Sequence, residues 1–225
     1  MTAEELEKRN IAAMGESLGK QYTALHNEVV VLHLYWKEYL ELFGTNQKRI
    51  DRMNQSAPGF FRMLQTELFQ TNILHIARLT DPPQTMGKDN LTLRNLPDLV
   101  SDKNLKNKLI GLLALTEQKT SFCRDWRNRR FAHYDLELAL DESNATELKT
   151  VTKESVNAGL NALADVLNAI ELHYFKGGTS FDAVAGLNGA TALLYVMGDG
   201  VKQKQKREEL IQRGEVSDLD LPEQI

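Results

Sequence analysis

Apolar residues recur at spacings of three and four along most of the chain, and glycine, proline and capping residues separate the stretches. In residues 3–42, Leu25, Val29, Leu32, Trp36 and Leu40 form one such stripe. That period predicts a helix, or a broken pair of helices with Gly15 and Gly19 as the breaks. Gly44-Thr45-Asn46 reads as a stop followed by a cap. A second helical region covers residues 47–79. Ser56 is the expected N-cap of a restart there, and Pro58 lies in its first turn. Phe61, Leu64, Leu68, Ile73, Ile76 and Leu79 supply its apolar face. Asp81-Pro82-Pro83 ends it, because proline cannot continue the backbone ladder.

Residues 84–101 read as a connection with one short helix near 91–96. A third long helix is expected to start at Ser101 or Asp102 and to run to about residue 133, led by Leu105, Leu109, Leu112, Leu113 and Leu115. Residues 136–150 are acidic and loop-like. Thr152 is the expected cap of a fourth helix carrying Val156, Leu160, Leu163, Val166, Leu167 and Ile170, with Gly177-Gly178 as its end. A shorter helix over 183–197 continues into the charged run KQKQKREEL, and residues 214–225 read as a flexible acidic tail. No stretch alternates as a strand does, and no internal repeat is visible. The expectation is an all-α fold without a sheet. It forms a single helical domain over residues 1–213, with the long third helix at about 102–133 and C-terminal helices at about 152–213.

Composition changes this picture little. Apolar residues make up 42% and charged residues 26%, as in an ordinary globular domain. The net charge of -4 argues against a general nucleic-acid coat, so any RNA-binding surface has to be local. The lone Cys123 excludes an intrachain disulfide and fits a reducing, cytoplasmic compartment. The start, MTAEELEKRN, has no signal-peptide pattern, and no apolar run is long enough to span a membrane.

Candidate chemistry concentrates in WRNRRFAHYD, residues 126–135. Arg124, Arg127, Arg129 and Arg130 fall within seven positions and are opposed there only by Asp125. Arginine is a permanent cation whose planar fork fits phosphate oxygens, and histidine exchanges a proton near neutral pH. RNA cleavage without a metal needs those two functions. The 2′-hydroxyl loses a proton as it attacks, the 5′-oxygen gains one, and the phosphorane charge is stabilised. On a straight helix Arg127 and His133 would lie roughly 120° apart and about 9 Å along the axis. A shared site therefore needs a helix end or distortion before His133, a long reach by Arg127, or a second copy. An arginine four to six residues before a histidine arises about once by chance in such a chain. The weight lies in Asn128 after Arg127, Ala132 before His133, and the position at the end of an amphipathic helix.

Those details resemble the R-N-x4-H form of the HEPN superfamily motif. The wider chain resembles the AbiU-type abortive-infection branch through YWKEYLELFGTNQKRIDRMN, FFRMLQTELFQTNILHIARLTDPP, NLTLRNL and WRNRRFAHYD, over about residues 25–200. The resemblance implies a HEPN-like helical bundle with additional C-terminal helices. It also implies a homodimer apposing two motifs, and metal-independent RNA cleavage in phage defence or a toxin–antitoxin system. Arg127 and His133 then match the catalytic pair and Asn128 the polar residue that supports it. Some HEPN toxins carry a modifiable tyrosine two residues after the histidine. Here that position is Asp135 and the tyrosine is Tyr134, which speaks against that mode of control.

Each residue also has a structural alternative. Arg127 and His133 can form a solvated helix end with a capping histidine. As a catalytic pair too they are expected at an exposed helix end, where substitution changes stability by less than about 0.5 kcal/mol. Asn128 can serve a local backbone bond. Arg124, Arg129 and Arg130 are candidates for gripping RNA phosphates but equally for a charged face. Arg78 and Asp81, in ARLTDP, can support an active-site arginine or form a helix-end pair. His26 and His33 share a helical face, and no residue nearby in sequence completes a metal set, so packing is favoured. No metal and no cofactor is expected. GESLGKQ, residues 15–21, misses the phosphate-loop spacing and follows no strand. The expected partners are RNA, a second copy, and an antitoxin or defence-system protein, with no membrane. The alternatives are a non-catalytic HEPN module that binds nucleotide or RNA, and a helical interaction protein of a defence complex.

Overall fold

The structure is a computed structural model that describes residues 2–140, 145–183 and 189–215. The α-helices are α1 Ala3–Met14, α2 Glu16–Phe43, α3 Gln47–Ser56, α4 Pro58–Leu79, α5 Leu96–Leu99, α6 Lys103–Lys119, α7 Ser121–Trp126, α8 Leu136–Ala139, α9 Lys153–Phe175 and α10 Gly189–Arg213. The expected all-α fold is therefore present. Two compact units divide the chain: Met1–Trp36 with Phe69–Ala185, and Lys37–Leu68 with Gly186–Ile225.

The first unit has a core drawn from several helices. Leu25, Val29 and Leu32 of α2, Ile73 and Ile76 of α4, Leu109 of α6, and Val156, Leu163, Val166, Leu167 and Ile170 of α9 are fully enclosed. Helix α6 packs along α9, where the Thr116 hydroxyl donates to the Ala162 carbonyl at 3.2 Å. Gly15, at φ 85°, separates α1 from α2. Gly19 does not break the helix. It lets α1 lie directly against α2, since a Cβ there would fall 2.6 Å from Ile11 Cα. The neighbouring Asn10 side chain donates to the Thr23 hydroxyl at 2.9 Å. In the second unit Leu42, Met53, Phe61, Ala190 and Leu194 form a small core. There Arg52 lies over Gly198 and donates to the Leu194 carbonyl at 2.9 Å.

Local signals placed several helix ends correctly. Asn46 caps α3 through the Arg49 amide, Asp102 caps α6 through the Leu105 amide at 2.7 Å, and Thr152 forms a capping box with Ser155 on α9. Four further expectations are corrected. Ser56 is the last residue of α3 rather than the N-cap of α4, and its hydroxyl bonds back to the Met53 carbonyl. Helix α9 ends on Lys176 in the left-handed region at φ 56°, one residue before the glycine pair. The long helix expected over 102–133 is interrupted at Thr120 and again at Arg127. A minimal antiparallel hairpin exists, β1 Gln84–Thr85 with β2 Lys88–Asp89, paired Gln84 to Asp89 and Thr85 to Lys88. Its turn residues Met86 and Gly87 both have positive φ, the geometry that suits a two-residue hairpin loop. Strands of two residues are too short to leave an alternating pattern. The start of the helix expected over 183–197 and most of the expected acidic tail lie outside the described residues, as do 141–144.

Candidate functional site

The Arg-Asn-x4-His segment begins where regular helix stops. After α7, residues Arg127–Phe131 form a π-helical turn, closed by the Ala132 amide donating to the Arg127 carbonyl at 2.7 Å. Such turns insert a residue into the helical ladder and often lie at functional sites. His133 follows in the bend beyond the turn, so the angular separation of a straight helix does not apply to this pair. Aromatic packing anchors the turn. The Trp126 ring meets Phe69 edge-on at 5.5 Å and Phe131 at 5.6 Å.

Two arginines fasten this segment to the end of α4. Arg124 donates to the Thr80 carbonyl at 2.7 Å, and Arg127 forms an ion pair with Asp81. The same corner is held by the Thr92 hydroxyl, which contacts the Leu79 and Asp81 carbonyls, each at 2.9 Å. These bonds satisfy carbonyls that the end of a helix leaves without partners. Arg127 was expected at a freely exposed helix end. Its side chain is 32% exposed and its partner carboxylate 18%, so it is a half-buried, charge-paired group instead. Arg78 does not join it. Arg78 pairs with Glu28, whose Oε2 also lies 2.7 Å from His75 Nε2. Arg78 and Asp81 do line one cavity of about 280 Å³ with Glu28 and Asp89.

On the other side of the turn, Arg129 is occupied by the protein. It pairs with Asp125 and Asp135, each at 3.4 Å, and donates to the Thr146 carbonyl. Asp125 in turn accepts from the Lys149 amide at 2.9 Å, and the Trp126 indole donates to the Lys149 carbonyl at 2.8 Å. The irregular segment 145–149 is thereby strapped to the motif by its backbone. Arg130 is exposed and lies 4.3 Å from the Tyr134 ring centre, a cation–π contact. Asn128 and His133 are both exposed. Asn128, Arg124 and Arg129 line a cavity of about 470 Å³ with Ser121 and Lys149. Sequence reasoning missed Lys149, Ser121 and Asp125. The four-residue spacing of Asp125 and Arg129 was a readable signal, whereas Lys149 had none.

Burial holds three histidines, His26, His33 and His75, below their ordinary value of 6.5. For His75 this outweighs the Glu28 bond. His26 and His33 pack around Phe181, with ring centres at 5.1 and 5.7 Å. Burial also raises the Cys123 thiol. Among the described residues no cluster of histidine, cysteine or carboxylate side chains could hold a metal ion. Among the same residues no helix is long and apolar enough to cross a membrane.

The helical fold, with Arg127-Asn128 and His133 at a distorted helix end, is consistent with a HEPN domain. Residues 15–192 match the AbiU2 family of HEPN proteins (HEPN_AbiU2), and the chain belongs to that family. This is an abortive-infection-related HEPN domain. No curated protein and no solved structure matches the chain.

Proposed function

We propose that this protein is a metal-independent endoribonuclease acting in phage defence as a homodimer. The observation that carries the reading is the fixed Arg127 guanidinium, clamped by Asp81 at the start of a π turn whose neighbouring Asn128 and His133 face solvent. His133 takes the proton of the ribose 2′-hydroxyl or delivers one to the leaving 5′-oxygen. The 2′-oxygen–phosphorus bond forms as the phosphorus–5′-oxygen bond breaks, leaving a 2′,3′-cyclic phosphate and a 5′-hydroxyl. Arg127 balances the charge that develops on the phosphorane, and Asn128 orients one of these groups. One imidazole cannot act as base and acid in the same step, so a second copy apposing its own His133 completes the site. Unrestrained cleavage of cellular RNA would be harmful, so an antitoxin or defence-system partner in the cytoplasm would hold the enzyme inactive.

The test is incubation of purified protein with total RNA in EDTA. Cleavage should fall about 10²–10⁴-fold in His133→Ala. The Arg127→Ala, His133→Ala double variant should be little worse than either single variant, because the groups act as a unit. DNA, which lacks the 2′-hydroxyl, should survive. One observation favours a second reading, a non-catalytic RNA-binding module: the Arg127 charge is already balanced by Asp81. RNA binding without cleavage by wild type would establish it.

A further inference from the structure

The 470 Å³ cavity beside Asn128 has a composition that the motif does not explain. Its two carboxylates are already committed. Glu117 pairs with Arg94 at 3.2 Å, and Asp125 pairs with Arg129 while accepting the Lys149 amide. Its remaining cations are different. Arg124 donates to a carbonyl, and the Lys149 ammonium reaches the Ser121 hydroxyl at 3.1 Å. Among the described residues neither forms an ion pair with a carboxylate. Two positive charges held by neutral acceptors therefore converge on one cavity, with a hydroxyl and an amide beside them.

Lys149 is not there by chance of a loose surface chain. Its backbone is fixed on both sides, amide to Asp125 and carbonyl to the Trp126 indole, and Arg129 clamps the Thr146 carbonyl just before it. This strap carries the lysine from an acidic stretch of sequence to the face of α7. Its anchors are backbone groups, so the side chain can be changed without releasing them.

We infer that this cavity seats a backbone phosphate of single-stranded RNA, gripped by Lys149 and Arg124 beside Asn128. The inference rests on the ribonuclease reading for its ligand and supplies it with a binding subsite. The Ser121 hydroxyl and the Asn128 amide offer hydrogen bonds to the phosphate oxygens, and Lys149 exchanges its Ser121 contact for the anion. A phosphate seat carries no sequence information, so it positions the strand rather than selecting a base.

Fluorescence anisotropy with a labelled single-stranded RNA, in EDTA and across a salt series, tests this on the full chain. His133→Ala serves as the parent so that the probe stays intact. Each phosphate contact on a single strand contributes about 0.7 to the slope of log affinity against log salt. Lys149→Ala should weaken binding and lower that slope by about 0.7. Lys149→Glu should weaken it further, and Lys149→Arg should restore it. Unchanged affinity and slope in Lys149→Ala and Lys149→Glu would overturn the inference, and so would an absence of RNA binding by the parent. The ribonuclease reading is judged separately, by cleavage in wild type and its loss in His133→Ala. Cleavage with Lys149-independent binding removes the subsite alone. Lys149-dependent binding without cleavage keeps the subsite and removes the nuclease.

Discussion

Asp81→Asn removes one charge from the corner that holds Arg127 and leaves the Asp81 backbone, with its Thr92 contact, in place. Exposed ion pairs are worth about 0–1 kcal/mol, while breaking a buried pair costs about 3–5 kcal/mol. The Asp81 side chain is 18% exposed and that of Arg127 32%, which places the pair between those limits. The expected loss is about 1–2 kcal/mol, a fall in Tm of about 2–8 °C for a chain of this size. The double-mutant cycle with Arg127→Met should show a coupling of about 1 kcal/mol in urea denaturation. The same change should affect cleavage. An arginine freed from its carboxylate no longer points in one direction, and a displacement of about 1 Å can cost up to about 10²-fold in rate. Strict additivity of the two substitutions, together with unaltered cleavage by Asp81→Asn, would show that the pair neither stabilises the corner nor positions Arg127.

Other consequences follow from the packing. Gly19→Ala would place a methyl 2.6 Å from the backbone of Ile11. Overpacking costs about 1–3 kcal/mol and should exceed the roughly 1 kcal/mol gained in helix propensity. Faster amide exchange across α1 checks this. Met86, at φ 50° and fully in solvent, occupies a turn position that asparagine tolerates better. Met86→Asn should raise stability by up to about 1 kcal/mol in the same denaturation assay. His26, His33 and His75 are held below 6.5 by burial, so the unfolded chain binds protons first as pH falls through that value. Stability should therefore be higher at pH 7.5 than at pH 5.5, and a Tm that is flat or rises on acidification would contradict it.

The sequence by itself determined what depends on neighbours a few residues apart. Helical period, the caps at Asn46, Asp102 and Thr152, and the stop at Asp81-Pro82-Pro83 are all local, and they were legible for that reason. So was the order Arg127-Asn128-x4-His133, which carried the family. Local signals failed where competing residues were both adequate. Lys176 adopts the left-handed conformation ahead of Gly177, and Ser56 closes one helix instead of opening the next. Only the tertiary structure decided what surrounds the motif. The carboxylate facing Arg127 comes from 46 residues away, and the strap that brings Lys149 alongside joins Asp125 across 24. It also decided that Arg129 is a clamp and that the helix widens into a π turn at Arg127. These features follow from which surfaces meet when α4, α7 and the 145–149 segment pack, and charges brought together by packing leave no periodic trace in the chain.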